Sequence, residues 1–216
     1  INEQKTKVMS INTPVVPLVT KDGSTLEEVV DFKYLGSWVS SSSRDIKVRK
    51  ALAWRALGDM RAVWRSRMPR DLKIKLFRAT VEPILLYGSE CWALNSSLQK
   101  SLDGTYTRML RTVLNTSWQD HITNEVLYGD LPRVTDRVAW RRMGLVGHCY
   151  RHKDIPASHL VLWEPIHGYR RPGRPASTLL DTLKGDAGAA DTAELAACML
   201  DRENWTARRA ARLRPL

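Results

Sequence analysis

The sequence has few of the features that define secreted or membrane proteins. Its three cysteines, Cys91, Cys149 and Cys198, are odd in number and widely separated, with no Cys-x-x-Cys pair. This spacing argues against a disulfide framework and a zinc knuckle, and it favours a reducing compartment. No apolar run approaches the roughly 18 residues that cross a bilayer, and no signal peptide is visible at Ile1. We therefore expect an intracellular protein, cytoplasmic and nuclear, with no membrane partner.

Catalytic motifs are missing as well. There is no nucleophile motif, no Gly-rich phosphate-binding loop and no paired-carboxylate motif. His148 and His152, with Cys149 beside them, have the spacing that places two imidazoles on one face of a helix, as some metal sites require. Packed histidines are the more common explanation of such a pair. The sequence therefore predicts no bound metal, no cofactor and no independent active site.

What the chain has in excess is positive charge. Its 34 Lys and Arg residues outnumber its 23 Asp and Glu residues and give a net charge of +11. Such a balance favours a polyanionic partner, with nucleic acid ahead of an anionic membrane. The apolar fraction of 43% is ordinary for a globular protein, so the chain can still bury a sizeable core.

The first part of the chain has β character. Apolar residues at 15–19 precede Asp22-Gly23, a dipeptide that favours a tight turn with positive φ. A second extended run is predicted over residues 32–39. The serines at 40–43 then end this strand and offer a helix N-cap.

The hydrophobic period becomes helical from Arg44 onward. The first predicted helix ends at Met68-Pro69, and its inward stripe consists of Ile46, Ala53, Leu57, Met60 and Trp64. A second helix is predicted from Asp71 to Pro83, with an inward face formed by Leu72, Leu76, Ala79 and Thr80. A third begins at Ser96 or Ser97 and has apolar repeats at Leu98, Leu102, Tyr106, Met109, Leu110 and Val113.

Helical signals are weaker in the rest of the chain. They occur at 122–128 and 134–152, before a Pro- and Gly-rich, loop-like segment at 153–175. Two or three short helices follow, of which one has a capping box formed by Asp191 and Glu194 and another is capped by Asp201. The predicted fold is mainly α, with a small N-terminal β-hairpin remnant, a helical bundle and a helical connector.

Positive charge is concentrated on the first two predicted helices. Residues 44–78 contain twelve Lys or Arg against three Asp. A helical wheel places these side chains on one flank of the first helix: Lys47, Lys50, Trp54, Arg61 and Arg65. A basic stripe interrupted by an aromatic residue suits the tracking of a phosphate backbone, with a solvated surface as the alternative.

A second basic segment lies at residues 169–175. Arg170, Arg171 and Arg174 surround Pro172-Gly173 there, in the form of a hook that inserts arginine into a minor groove. The alternative is an ordinary turn-rich linker.

Several stretches, in chain order, resemble the region downstream of the catalytic core in reverse transcriptases of non-LTR (LINE-type) retrotransposons. Residues 2–7, Asn2-Glu3-Gln4-Lys5-Thr6-Lys7, resemble polymerase motif D, and Phe32-Lys33-Tyr34-Leu35-Gly36 resembles the primer-grip hairpin of motif E. Residues 85–92, Leu85-Leu86-Tyr87-Gly88-Ser89-Glu90-Cys91-Trp92, resemble the family's thumb signature. Residues 141–151 resemble its Arg-Arg to Gly-His segment, and residues 173–175 and 201–205 resemble its closing pieces.

The resemblance implies a domain order and a set of contacts. The end of the palm would occupy residues 1–43, a helical thumb 44–115, a helical connector 116–168 and a basic C-terminal segment 169–216. It implies that Tyr34, Leu35 and Gly36 press on the primer backbone. Lys5 or Lys7 would lie near the phosphates of the incoming nucleotide, with plain surface lysines as the alternative.

The same resemblance implies the partners of the chain. These are RNA and DNA, as a template–primer duplex, together with the upstream fingers and palm of the same polypeptide. The family's metal-binding aspartates are absent from this sequence, so we expect Mg²⁺ in the parent polymerase and no cofactor on this chain. We expect a nucleic-acid-binding C-terminal portion of an RNA-directed DNA polymerase. The alternative is a non-enzymatic, domesticated or decayed retroelement-derived nucleic-acid-binding protein.

Overall fold

A computed structural model of the chain describes residue 2 and residues 6–10, 17–38, 41–164 and 177–215. The strands are β1 (Lys7–Val8), β2 (Glu27–Glu28), β3 (Lys33–Tyr34) and β4 (Ser37–Trp38). The helices are α1 (Ser42–Asp59), α2 (Arg61–Arg65), α3 (Arg70–Thr80), α4 (Glu82–Leu85), α5 (Ser96–Val113), α6 (Asn124–Tyr128), α7 (Val134–Arg151), α8 (Leu179–Ala187), α9 (Thr192–Leu200) and α10 (Arg202–Ala211). The prediction of a mainly helical fold with a small N-terminal β part is confirmed.

The β part consists of short pairings. β1 pairs with β2 in parallel, with Lys7 opposite Glu27. The predicted Asp-Gly turn is confirmed, because Val19 and Thr25 form an antiparallel bridge around Gly23, whose φ is +84°. Glycine adopts this left-handed conformation without the steric cost that a Cβ imposes.

The β character predicted for residues 32–39 is confirmed up to residue 38, but it takes the form of a hairpin rather than of one continuous strand. β3 and β4 form an antiparallel hairpin, and the chain reverses at Leu35 and Gly36, which have φ angles of +48° and +85°. Two successive positive φ angles match the twist of a two-residue hairpin turn. The turn is held from outside the hairpin, since Tyr87 Oη donates to the Leu35 carbonyl at 2.7 Å and Arg49 donates to the Gly36 carbonyl.

The predicted stripe of the first helix is confirmed in its buried positions, but the helix is shorter than expected. Ile46, Ala53, Leu57 and Trp64 are buried, while Met60 is half-buried. The helix breaks at Met60 (φ −98°, ψ 16°), and α2 follows. The break lets Trp64 Nε1 donate to the Leu57 carbonyl at 2.8 Å, so the indole satisfies its polar atom within the core.

The predicted inward face of the second helix is confirmed only in part, because Leu76 packs half-buried against the core and Thr80 is half-buried. The residues of α3 that are buried are Ile74, Phe77 and Lys73, whereas Leu72 and Ala79 are exposed. Burial of the large apolar side chains of Phe77 and Ile74 on this face favours folding. Lys73 accompanies them because its Nζ reaches the Trp64 carbonyl at 2.6 Å while its aliphatic stem packs.

The same region also ends differently from the prediction. α3 ends at Thr80 rather than at Pro83. Pro83 lies in the first turn of α4, where a missing N–H leaves no intrahelical bond unmade.

The third predicted helix is confirmed as α5. It begins at Ser96, and the Asn95 side chain accepts a hydrogen bond from the Leu98 amide at 2.8 Å. Its predicted apolar residues are buried from Leu102 to Val113, and Leu98 packs half-buried at the edge of the core. α5 forms the centre of a first core with α1, α3 and α4.

A second core is formed by the C-terminal helices. α7 serves both cores, because Val134 and Val138 pack in the first and Met143 and Val146 in the second. The predicted short helices are α8, α9 and α10, and the N-caps at Asp191 and Asp201 are confirmed. The capping box predicted at Asp191 is not complete, because the Glu194 carboxylate accepts from the Ala190 amide at 2.8 Å rather than from the Asp191 amide. The domain limits expected from the sequence stay a prediction.

Two glycines of α7 provide the contact between α7 and α10. The indole Nε1 of Trp205 donates to the Met143 carbonyl at 2.9 Å and lies where a Cβ on Gly147 would be. The guanidinium of Arg209 is likewise 2.6 Å from the position of a Cβ on Gly144. The segments at 141–151 and 201–205 that resemble the family therefore pack against each other.

We predict that Gly147→Ala destabilises the protein by about 1–3 kcal/mol, because the added methyl group overlaps the buried indole of Trp205. Gly104→Ala is the matched control, since Gly104 lies in α5 with open space around it. Alanine should stabilise that position by about 0.5–1 kcal/mol. Urea unfolding measures both changes, and equal stabilities for the two variants would contradict the close packing.

Candidate nucleic-acid interface

The first candidate surface is the tip of the β3–β4 hairpin. Tyr34 and Leu35 are 60% and 75% exposed, which leaves both side chains available to a partner. At Gly36 the side-chain position points toward the helical bundle, because an added Cβ would lie 3.6 Å from both Arg49 and Tyr87. The tip is therefore an outward-facing pair of side chains on a backbone that is anchored behind it.

The anchor of this hairpin is Asp45, which is fully buried near the start of α1. Its carboxylate accepts hydrogen bonds from Ser37 Oγ at 2.8 Å, from the Trp38 amide at 3.3 Å and from Trp92 Nε1 at 2.8 Å. The Arg49 guanidinium lies 3.8 Å away and supplies the opposite charge. One acidic side chain therefore joins the hairpin, the first helix and the segment at 87–92.

The segment at 87–92 completes this anchor. Tyr87 binds the hairpin turn, and Gly88 (φ +72°) allows the backbone to pass close to Ser37 Oγ, 3.1 Å from where a Cβ would be. Glu90 accepts from Arg141 of α7 at 3.0 Å. The residues that resemble the thumb signature thus connect the hairpin to the helical bundle.

The second candidate surface is a cleft of about 590 Å³ beside α5. It is lined by Trp54, Leu57, Gly58, Arg61, Trp64, Arg65, Arg111, Thr112, Asn115, Thr116 and Ser117. Three residues of the predicted basic flank, Trp54, Arg61 and Arg65, are therefore brought together even though the helix breaks between them. We call this surface the α1–α5 cleft.

The arginines of the α1–α5 cleft differ in how they are held. Arg111 donates to the Ile122 carbonyl at 2.9 Å and to Asn124 Oδ1 at 3.1 Å, so it has a structural role. Arg61 and Arg65 are exposed, and neither forms a salt bridge or a side-chain hydrogen bond within the described part of the chain. The guanidinium N–H groups of Arg61 and Arg65 are therefore available to donate hydrogen bonds to phosphate oxygens.

The lysines predicted for the same flank are in different situations. Lys47 is exposed on α1. Lys50 instead binds α5, because its Nζ donates to the Ser101 hydroxyl at 2.6 Å and to the Ser101 carbonyl at 3.0 Å. Burial, and next the nearby positive charge of Arg108, lower the pKa of Lys50. Lys50 therefore contributes to the contact between α1 and α5.

The remaining predicted contacts lie apart from both surfaces or outside the described residues. Lys7 forms a salt bridge with Glu27 at 2.9 Å, at the β1–β2 pairing. Outside the described residues lie Lys5, Arg170, Arg171 and Arg174.

The structure also bears on metal and membrane binding. The rings of His148 and His152 lie 4.3 Å apart, centroid to centroid. Within the described ranges, no three His, Cys, Asp or Glu side chains come together as a metal site would require. None of the helices in these ranges is both long and apolar enough to cross a membrane.

Asp45, Arg49, Tyr87 and Arg111 were not among the predicted site residues. Asp45 is one of only three acidic residues among the twelve basic ones at 44–78, and that isolation was the available signal. Tyr87 lies in the stretch that resembles the thumb signature, which gave no indication of its contact with Leu35. The contacts of Arg49 with Gly36 and of Arg111 with Ile122 join residues more than ten positions apart, so the sequence pattern did not indicate them.

Comparison with known proteins gives one line of support for the origin of the chain. No protein-family model matches it, and no solved structure matches it. The chain is similar to an uncharacterised transposon-derived protein of Caenorhabditis elegans, with 26% identity over 205 residues that cover 88% of this chain and 74% of that protein. This similarity supports a transposon origin for the chain.

Proposed function

We propose that the chain is the nucleic-acid-binding C-terminal portion of an RNA-directed DNA polymerase from a non-LTR retrotransposon, and that it grips the template–primer duplex. The observation that carries the proposal is the α1–α5 cleft, where Arg61 and Arg65 stand beside Trp54 with their donors available. The transposon-derived relative and the net charge of +11 support the same conclusion.

The basic flank has a length that suits one strand of a duplex. On α1 the distance from Lys47 of this flank to Gly58 of the cleft lining is eleven residues, which corresponds to about 16 Å along the helix axis. A single strand of B-form duplex carries a phosphate about every 3.4 Å of axis, so this length spans about five phosphates. The flank would follow the backbone and ignore the base sequence.

The hairpin tip would take the second contact. Tyr34 and Leu35 would press on the primer backbone, and the anchor at Asp45 would keep them in place relative to the basic flank. The Mg²⁺ ions implied by the resemblance do not fit the described residues, because no group of acidic side chains is assembled there. We place the metal chemistry in the parts of the parent polymerase that carry its aspartates.

We predict that the chain binds an RNA–DNA hybrid with a steep salt dependence. If it neutralises about five phosphates, the logarithm of the binding constant should fall against the logarithm of salt concentration with a slope of about −4 to −5. Fluorescence anisotropy over a salt series measures the slope. A neutral-backbone analogue of the same base sequence is the control and should not bind. A flat salt response would contradict the proposed grip.

A second candidate function is a non-enzymatic nucleic-acid-binding protein derived from a retroelement. The similarity to a protein described only as transposon-derived is compatible with it. The coding sequence upstream of Ile1 distinguishes the two functions. A reading frame that encodes the catalytic aspartates supports the polymerase, and a start codon directly before Ile1 supports the second candidate.

A further inference from the structure

An exposed tryptophan is the neighbour in the chain of a residue that lines the α1–α5 cleft. Trp118 is 78% exposed and follows Ser117, one of the residues that line the cleft. Trp54 lines the cleft itself and is half-buried. Single exposed apolar side chains are common on protein surfaces, but an indole next to a cleft that carries two exposed arginines is suited to stacking on the flat face of a base.

The backbone that carries Trp118 is locally well held. It begins the short 3₁₀ turn Trp118–Asp120, where the Ser117 hydroxyl accepts from the Gln119 amide at 3.3 Å and the Asp120 carboxylate accepts from the Ser117 amide at 2.6 Å. Arg111 also ties the end of α5 to the segment after this turn. The backbone that carries the indole is therefore held in place, which lowers the backbone entropy lost when the indole binds.

The size of the cleft decides which form of nucleic acid it admits. Its volume of about 590 Å³ is within the range of about 300–1,000 Å³ that is typical of small-ligand pockets. A nucleotide unit fits such a space, whereas a duplex can only lie across its mouth. The neutral polar residues of the lining, Thr112, Asn115 and Thr116, provide hydrogen-bonding groups for a base edge or a 2′-hydroxyl.

We propose that the α1–α5 cleft binds single-stranded nucleic acid, with a base stacked on Trp118 and its phosphates held by Arg61 and Arg65. This inference rests on the proposed function and adds to it an unpaired strand next to the gripped duplex. A combination of aromatic stacking and arginine contacts is the usual means of binding single strands without sequence preference.

The test compares Trp118→Ala with the parent chain on two probes, a short single-stranded RNA and a blunt RNA–DNA hybrid of the same length. Loss of one stacking residue should weaken single-strand binding by about 5- to 150-fold and leave hybrid binding nearly unchanged. Trp118→Phe keeps an aromatic face and should retain most of the affinity. Trp163→Ala is the matched control. Trp163 is 63% exposed, follows α7 in the chain and does not line the cleft.

The outcomes separate this inference from the proposed function. If Trp118→Ala leaves single-strand binding unchanged, or weakens both probes equally, the stacking site is wrong while the duplex grip stands. Unchanged single-strand binding in Trp118→Ala would favour a protein partner for Trp118. Binding of the single strand alone, with the expected loss in Trp118→Ala, would support the stacking site and contradict the duplex grip. If neither probe binds, both proposals are wrong.

Discussion

Arg61→Glu combined with Arg65→Glu should weaken binding to an RNA–DNA hybrid by at least about 100-fold, because each arginine loses a charge-assisted hydrogen bond of about 1.5–3 kcal/mol. The salt slope should also become shallower by about two, one for each phosphate contact removed. Both side chains are exposed and free of salt bridges within the described part of the chain. The free energy of unfolding should therefore change by no more than about 0.5 kcal/mol for each substitution.

Two further variants make this result specific. Arg202→Glu with Arg214→Glu changes the net charge equally but on exposed residues C-terminal to α7, away from the cleft, and should leave most of the affinity. Leu102→Ala removes a buried side chain that does not line the cleft and should cost about 2–5 kcal/mol of stability, while binding falls only as the protein unfolds. Anisotropy titrations and urea unfolding on the same samples measure the two effects. Equal losses of affinity in both charge-reversed pairs would contradict the cleft as the grip.

Lys50 is unsuitable for this experiment, although the helical wheel placed it beside Arg61. Its ammonium group binds Ser101, so Lys50→Glu would disturb the contact between α1 and α5 as well as the surface charge.

The hydrophobic stripe and the caps of the helices were predictable, because they depend on residues within a few positions of each other. Whether a lysine is free depends on a partner 51 residues away, and the wheel carries no information about it.

In the candidate site, too, residues with partners nearby in the chain could be predicted from the sequence, and residues with distant partners could not. Trp54, Arg61 and Arg65 could be predicted from composition and spacing on one flank. The opposite wall of their cleft could not, because it comes from the end of α5 and the turn that follows it. The hairpin tip could be identified from its resemblance to a family motif. Its anchor could not, because Asp45 and Trp92 are 47 residues apart in the chain.

The second prediction with a large expected effect concerns Asp45, the anchor of the hairpin. Asp45→Ala leaves the Trp92 indole, the Trp38 amide and Ser37 without their acceptor, and it removes the charge opposite Arg49. Removing one partner from a buried ion pair costs about 3–5 kcal/mol, and the loss here should be in that range. Since the whole free energy of unfolding of a domain is about 5–15 kcal/mol, the variant should be marginally stable at most.

Trp92→Phe removes the indole donor to Asp45 together with part of the buried ring, while it keeps an aromatic side chain in the core. It should cost about 1.5–3 kcal/mol, less than Asp45→Ala, because the carboxylate keeps its other donors. The two changes should not add in the double variant, since both remove the same hydrogen bond. Urea unfolding measures the cycle, and hydrogen exchange of the amides in β3 and β4 should show the hairpin opening first. Additive costs, or a hairpin that stays protected in Asp45→Ala, would mean that the hairpin is held by its own turn and strands rather than by the buried carboxylate.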